Sequence, residues 1–366
     1  MPIEVTAQLD RDSAVYLAGE AIHCKVVVRN IGHSEEEPLA WGSVHVQCER
    51  IMSSGGGQHD DVSKKNSLGE RARSQSTAMS RSAFTVFSCR PVVLFCELVL
   101  RPGERREFDC VQQLPFDGIP PSFKGYLVKY VYKLTLGVQH VKSPIKLIHI
   151  PIRVIQTDFG IVLPTIPTLT NPFIANQNTG PSVIDLTTEA TDCLTAPQRS
   201  YSYNMTNARG RIANFILYKK AFKLGEDVVG RFIFDDCPLP CLQYTVSVQS
   251  VETLVESPNG RSFVTTHMVE HAVCAFWNDA IVKLHIPLSA TPTFYTDTVH
   301  VKWRLHFEFV TSDEIVFENN EGLSQAPTEL NIETMVWDLD IKVFPCSPHN
   351  AALTSANTIS RASIVV

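Results

Sequence analysis

The chain has 366 residues, 44% of them hydrophobic and 19% charged, with a formal net charge of −6. That length accommodates two domains with separate cores, and the mild acidity gives no reason to expect a nucleic-acid partner. No apolar run reaches the roughly 20 residues of a membrane-spanning helix. The amino end has neither a basic segment nor a long apolar run, so no secretory signal is expected.

Strand patterns begin at once. Ile3, Val5, Ala7 and Leu9 alternate with other residues, and the period of two marks a half-buried strand. Tyr16-Leu17-Ala18-Gly19-Glu20 reads as a turn feeding a strand over 22–30. A further strand is expected over 39–51, with Val44, Val46 and Cys48 on one side. Residues 53–82 change character: serines, three consecutive glycines and mixed charges, with almost nothing apolar. Such a segment cannot bury enough surface to offset its ordering entropy, so a disordered insertion is expected. Strands resume at 83–87, 92–100 and 107–113, with a turn at Pro102-Gly103.

Residues 120–137 carry the strongest pattern. Pro120, Pro121 and Gly125 punctuate a turn around Phe123. Beyond it, Tyr126, Val128, Tyr130, Tyr132, Leu134 and Leu136 are expected on one face, with Lys129, Lys133 and Thr135 on the other. The first module closes on a strand over 145–154, and its span is 1–155.

Residues 156–208 read as a linker. Its first part is apolar and proline-rich, with Phe159, Ile161, Leu163 and Phe173, and the proline density excludes helix and central strand. Its second part is polar and acidic. The apolar part is either a strap lying across the modules or a docking segment for another subunit; an exposed apolar segment favours a partner.

The second module, 209–346, repeats the first. Gly225-Glu226 leads into a strand as Gly19-Glu20 does. Pro292-Thr293-Phe294 echoes Pro121-Ser122-Phe123, and Val299, Val301, Trp303 and Leu305 echo Val128, Tyr130, Tyr132 and Leu134. The echo is gapless, at an offset of 171 positions (292 − 121). Internal similarity of this kind predicts two copies of one module. An acidic loop is expected over 311–330, and a strand with Met335, Trp337, Leu339, Ile341 and Val343 on one face ends the module. The remainder, 347–366, is small and polar and is expected to be a flexible tail. Seven or so short antiparallel strands per module define an all-β chain of two tandem β-sandwiches.

Chemistry-bearing patterns are sparse. The sequence has no phosphate-binding glycine loop, nucleophile elbow or paired-histidine metalloprotease motif. His267 and His271 have metal-ligand spacing for a helix, but in a strand that spacing separates them by roughly 13 Å. Cys237-Pro-Leu-Pro-Cys241 has a metal or disulfide reading, yet no second pair lies nearby and a structural loop is the simpler one. Most of the ten cysteines sit singly in strands and read as buried thiols of a reducing compartment. No catalytic residue, cofactor or metal is expected.

The Gly-Glu turns and the Pro-Ser-Phe…Tyr-Val-Tyr-Lys-Leu strand resemble the marks of the arrestin-fold superfamily, and both modules carry them. More narrowly, residues 120–137 with Ser143-Pro144-Ile145, Leu39-Ala40-Trp41, Phe95-Cys96-Glu97-Leu98 and Met335-Val336-Trp337-Asp338-Leu339 resemble the retrograde Golgi transport (Rgp) subunit family. The resemblance implies two arrestin-like sandwiches. It also implies an obligate complex with a larger β-propeller and helical-solenoid subunit, the pair acting as a guanine-nucleotide exchange factor for a Golgi Rab GTPase in retrograde traffic. It places the exchange surface mainly on the larger subunit and gives this chain a scaffolding and Rab-positioning role, cytosolic and peripheral to the Golgi membrane. The expected partner segment is Phe159–Phe173, and the GTPase is expected to offer its extended carboxy-terminal tail. The alternative is a general arrestin-domain adaptor for cargo or ubiquitin ligases, disfavoured by the absence of a proline-aromatic motif in the tail.

Overall fold

Period-two alternation becomes strand almost everywhere it occurs. The computed structural model describes residues 3–366 apart from 34, 54–82, 157–181, 236, 256–259, 276, 313–329 and 355–358. In the first module the strands are β1 (Ile3–Leu9), β2 (Val15–Leu17), β3 (Ala21–Asn30), β4 (Glu37–Met52), β5 (Ala83–Ser88), β6 (Val92–Leu100), β7 (Arg105–Gln113), β8 (Phe123–Lys124), β9 (Val128–His140) and β10 (Lys146–Ile155). Helix α1 (Val183–Thr195) follows, then β11 (Tyr201–Asn207), β12 (Gly210–Leu217), β13 (Ala221–Lys223), β14 (Asp227–Ile233), β15 (Cys241–Leu254), β16 (Ser262–Val273), β17 (Asp279–His285), β18 (Phe294–Tyr295), β19 (Val299–Thr311) and β20 (Glu333–Phe344). The chain ends with α2 (Pro348–Ala352) and β21 (Arg361–Val365). The fold is all-β.

Four sheets form two layered pairs. One pair has strand orders β21-β1-β3-β7 and β2-β10-β9-β4-β5, with β6 also on β4 and β8 on β9. The other has β11-β12-β14-β17 and β13-β20-β19-β15-β16, with β18 on β19. Apart from β6, which has no counterpart among the described residues of the second module, the orders correspond strand for strand, down to the two short parallel pairs, β2 with β10 and β13 with β20. Each pair encloses its own core: Val5, Val26, Val46, Tyr132, Leu134 and Ile150 in the first, Phe215, Phe232, Val246, Trp303, Phe307 and Ile341 in the second. Burial of such apolar side chains is the dominant favourable term in folding.

Three expectations are corrected. Residues 347–366 do not form a flexible tail: β21 pairs antiparallel with β1, from Glu4 opposite Val365 to Gln8 opposite Arg361, and Val366 is fully buried. The last strand thus occupies in the first module the place that β11 occupies in the second. Its short sequence, Arg-Ala-Ser-Ile-Val, carries little pattern because the ladder is made by backbone.

The acidic half of the linker is not linker throughout. It holds α1 and β11. Ser182 caps α1 by accepting from the Asp185 amide, and Asp185 returns the bond to the Ser182 amide. The helix buries Thr187, Thr191 and Thr195 rather than leucines, so its stripe does not read as apolar. Thr191 and Thr195 satisfy their hydroxyls on the carbonyls four residues back.

Finally, Tyr126 is not on the inward face with Val128. It precedes β9, is 61% exposed, and stacks on Phe263 of β16 at 3.8 Å.

Candidate functional site

The residues singled out by the repeat build matching corners. Gly19 and Gly225 both have φ of +87°, a backbone region open chiefly to glycine. The glutamate that follows each one bonds back over the turn. Glu20 accepts from the Leu17 amide at 2.6 Å and pairs with Arg11; Glu226 accepts from the Lys223 amide at 2.9 Å and pairs with Lys219. These carboxylates are consumed by turn structure.

The proline corners match as well. Pro121 and Pro292 are buried. Beside them, Ser122 Oγ accepts from the Val154 amide at 2.8 Å, and Thr293 Oγ1 accepts from the Val343 amide at 3.1 Å. The tips of the two core aromatics close the corners. Tyr132 Oη donates to the Pro120 carbonyl at 2.6 Å, and Trp303 Nε1 donates to the Thr291 carbonyl at 3.1 Å. Burial pushes the Tyr132 hydroxyl well above the ordinary tyrosine pKa, so it stays a donor. Phe123 and Phe294, one from each module, meet edge to face, with centroids 5.1 Å apart.

Other candidates fall into structural roles. His267 and His271 lie on β16. The first stacks on Trp303 at 4.5 Å and bonds Ser250; the second bonds Thr245. Burial lowers the pKa of His267. Cys241 lies beside Cys274, with sulfurs 3.5 Å apart, so its sulfur neighbour is Cys274. Cys24 and Cys110 face each other across β3 and β7, and all ten cysteines are thiols. Among the described residues no group of His, Cys, Asp and Glu is placed to hold a metal. Of the lysines and arginines on the central strands, Lys129 and Lys133 of β9 and Lys302 and Arg304 of β19, Lys133 pairs with Glu49 and Arg304 with Asp338, each at 2.7 Å. Phe159, Ile161, Leu163 and Phe173 lie outside the described residues.

What the sequence did not reveal is a lateral groove in the second module. Its walls are β11 and the first part of β20, with Tyr203, Met205, Met335, Val336 and Trp337. β13 covers β20 only at 342–344, so the backbone edge over 333–341 has no partner strand among the described residues. β11 likewise pairs on one side only. Tyr203 and Trp337 pack at 5.5 Å, while the Tyr203 hydroxyl is buried without a hydrogen-bond partner. Open strand edges beside apolar side chains can take up an extended polypeptide. The only sequence signal was the alternation of Tyr201, Tyr203 and Met205 inside a stretch read as linker.

Geometry therefore defines a duplicated β-sandwich protein whose distinctive polar groups, among the described residues, maintain corners. The Rgp1 family model matches residues 11–159 and 169–312, and the chain belongs to that family. It is similar to the RAB6A-GEF complex partner protein 2 of Homo sapiens, 34% identical over 386 residues that cover 94% of this chain and 95% of that protein. Similarity to the Bos taurus protein of the same name is also 34%, over 93% of each chain.

Proposed function

We propose that this chain is the non-catalytic partner subunit of a heterodimeric guanine-nucleotide exchange factor that activates a Golgi Rab GTPase. The observation that carries this reading is near-full-length similarity to relatives named as complex partners of a RAB6A exchange factor. In this reading the larger β-propeller and helical-solenoid subunit bears the exchange surface. This chain stabilises that subunit and positions the GTPase, supplying arrestin-like sandwiches rather than a reacting group. The complex works in retrograde endosome-to-Golgi and intra-Golgi vesicle traffic, cytosolic and peripheral to the membrane. A Rab GTPase ends in an extended tail leading to its lipid anchor. The open edges of β11 and β20 support capture of such a tail by strand addition, which gives affinity and selection without chemistry. The apolar segment 159–173 fastens the chain to the large subunit.

Two measurements test the two halves. Changing Ile161, Leu163 and Phe173 together to Ser is expected to abolish co-purification of the large subunit while the melting transition of this chain is kept. Truncating the GTPase tail is expected to slow exchange by the whole complex more than exchange by the large subunit alone. Equal slowing would remove the tail-reading role and leave this chain a stabiliser.

A further inference from the structure

The turn after Phe123 is held by a side chain of the other module. Glu252, on β15, is 5% exposed. Its carboxylate accepts three consecutive backbone N–H groups of the first module: Tyr126 at 2.8 Å, Leu127 at 3.1 Å and Val128 at 2.8 Å. Converging amides of this kind form an anion nest, and bonds to a carboxylate are the strong class. The approach depends on Gly125, where a Cβ would lie 2.4 Å from Glu252 Oε1.

The opposite contact exists too. Arg50 of β4 donates from Nη1 to Thr298 Oγ1 of the second module. Arg50 stands opposite Tyr130 on β9, and Glu252 stands opposite Val301 on β19. Tyr130 and Val301 are related by the repeat offset, as are Leu127 and Thr298, and Phe123 and Phe294. Equivalent residues of the two modules therefore reach for equivalent turns, around a pseudo-two-fold axis running between Phe123 and Phe294. Tyr130 Oη and Thr296 Oγ1, 3.1 Å apart, add a bond beside that axis.

The two halves are unequal, and position 125 with its equivalent, 296, explains why. Thr296 turns its own hydroxyl onto the Thr298 and Val299 amides, at 3.3 and 3.0 Å. That nest is filled from within. Gly125 has no side chain to do the same, so its nest takes Glu252. The Arg50 half is less complete, because Arg50 Nε is buried without a hydrogen-bond partner.

We propose that Glu252 and Arg50 form a reciprocal latch fixing the angle between the modules, with Glu252 the holding half and Arg50 the weaker one. The proposal is independent of the GTPase reading. Its test is hydrogen exchange and small-angle scattering on the full chain carrying Glu252→Ala or Arg50→Ala. Loss of a bond to a charged group predicts at least about tenfold faster exchange over 126–128 in Glu252→Ala. The latch further predicts faster exchange over 294–299, to which the Glu252 carboxylate makes no hydrogen bond, and a broadened scattering envelope. Protection of β9 over 134–138 and β19 over 305–309 should stay unchanged. Arg50→Ala should give the same pattern at smaller amplitude. A response confined to 126–128, or a larger effect from Arg50→Ala, would overturn the proposal. Should Glu252→Ala not give soluble protein, Glu252→Gln and Arg50→Ala carry the same comparison.

Discussion

Trp303 shows how a single residue spans two jobs. Its ring is 1% exposed in the second core, and its Nε1 proton is spent on the Thr291 carbonyl. Replacing Trp303 by Ala removes both and is expected to cost about 3–5 kcal/mol, measured by chemical denaturation. An unchanged unfolding midpoint would mean the ring does not sit in the core. Tyr132 holds the equivalent position, and both assignments were legible because alternation alone decides which side of a strand faces inward. Polar partners were not legible: nothing in the alternation says that Tyr132 reaches Pro120. Cysteines divide by the same logic. Burial pushes the Cys48 thiol up to about 12, whereas Cys96 and Cys193 are exposed. Because the thiolate is the nucleophile, alkylation of the native protein near pH 8 should modify Cys96 and Cys193 and spare Cys48. Mass mapping of labelled peptides gives the answer, and rapid Cys48 labelling would contradict its place in the core.

Elements were legible where their signal was local and lost where it was supplied by tertiary pairing. β9 and β19 announce themselves by period, and their pairing partners β4 and β15 follow. Helix α1 was missed because its buried stripe is threonine, although Ser182 and Asp185 spelled its cap. β21 was missed because so short a run, five residues with only Ile364 and Val365 strongly apolar, gains its strand from the β1 edge it covers. That edge leads to a prediction. Deleting 359–366 uncovers the backbone of β1, and an exposed edge pairs with other chains. The truncated protein is expected to melt earlier and to self-associate with concentration in light scattering, and a monomer with unaltered melting would refute it. The insertion gives the opposite expectation. β4 and β5 pair up to Ile51 opposite Ala83, so the ends of 54–82 leave from adjacent strands. Replacing that segment with a short Gly-Ser bridge closes an ordinary hairpin, and soluble protein with unchanged melting is expected.

At the scale of the whole molecule, the duplication was readable from a gapless offset, but the way its halves embrace was not. Sequence similarity between modules specifies two cores. It does not specify that Glu252 enters the nest beside Gly125, nor that the last strand crosses back to the first sheet. Those two connections join the halves in addition to the covalent segment between them. β21 belongs to the second half by sequence and to the first by pairing. Arg153 adds to the tie by donating to the Leu288 and Ala290 carbonyls, at 3.1 and 3.2 Å. Placing a protease site within 157–181 and cutting the purified full chain should therefore leave the two fragments co-eluting as one species. Combining the cut with deletion of 359–366 and Glu252→Ala removes the strand and the carboxylate together, and the fragments should then separate on gel filtration. Separation after the cut alone would show that the covalent connection, rather than the strand exchange and the carboxylate, holds the molecule together.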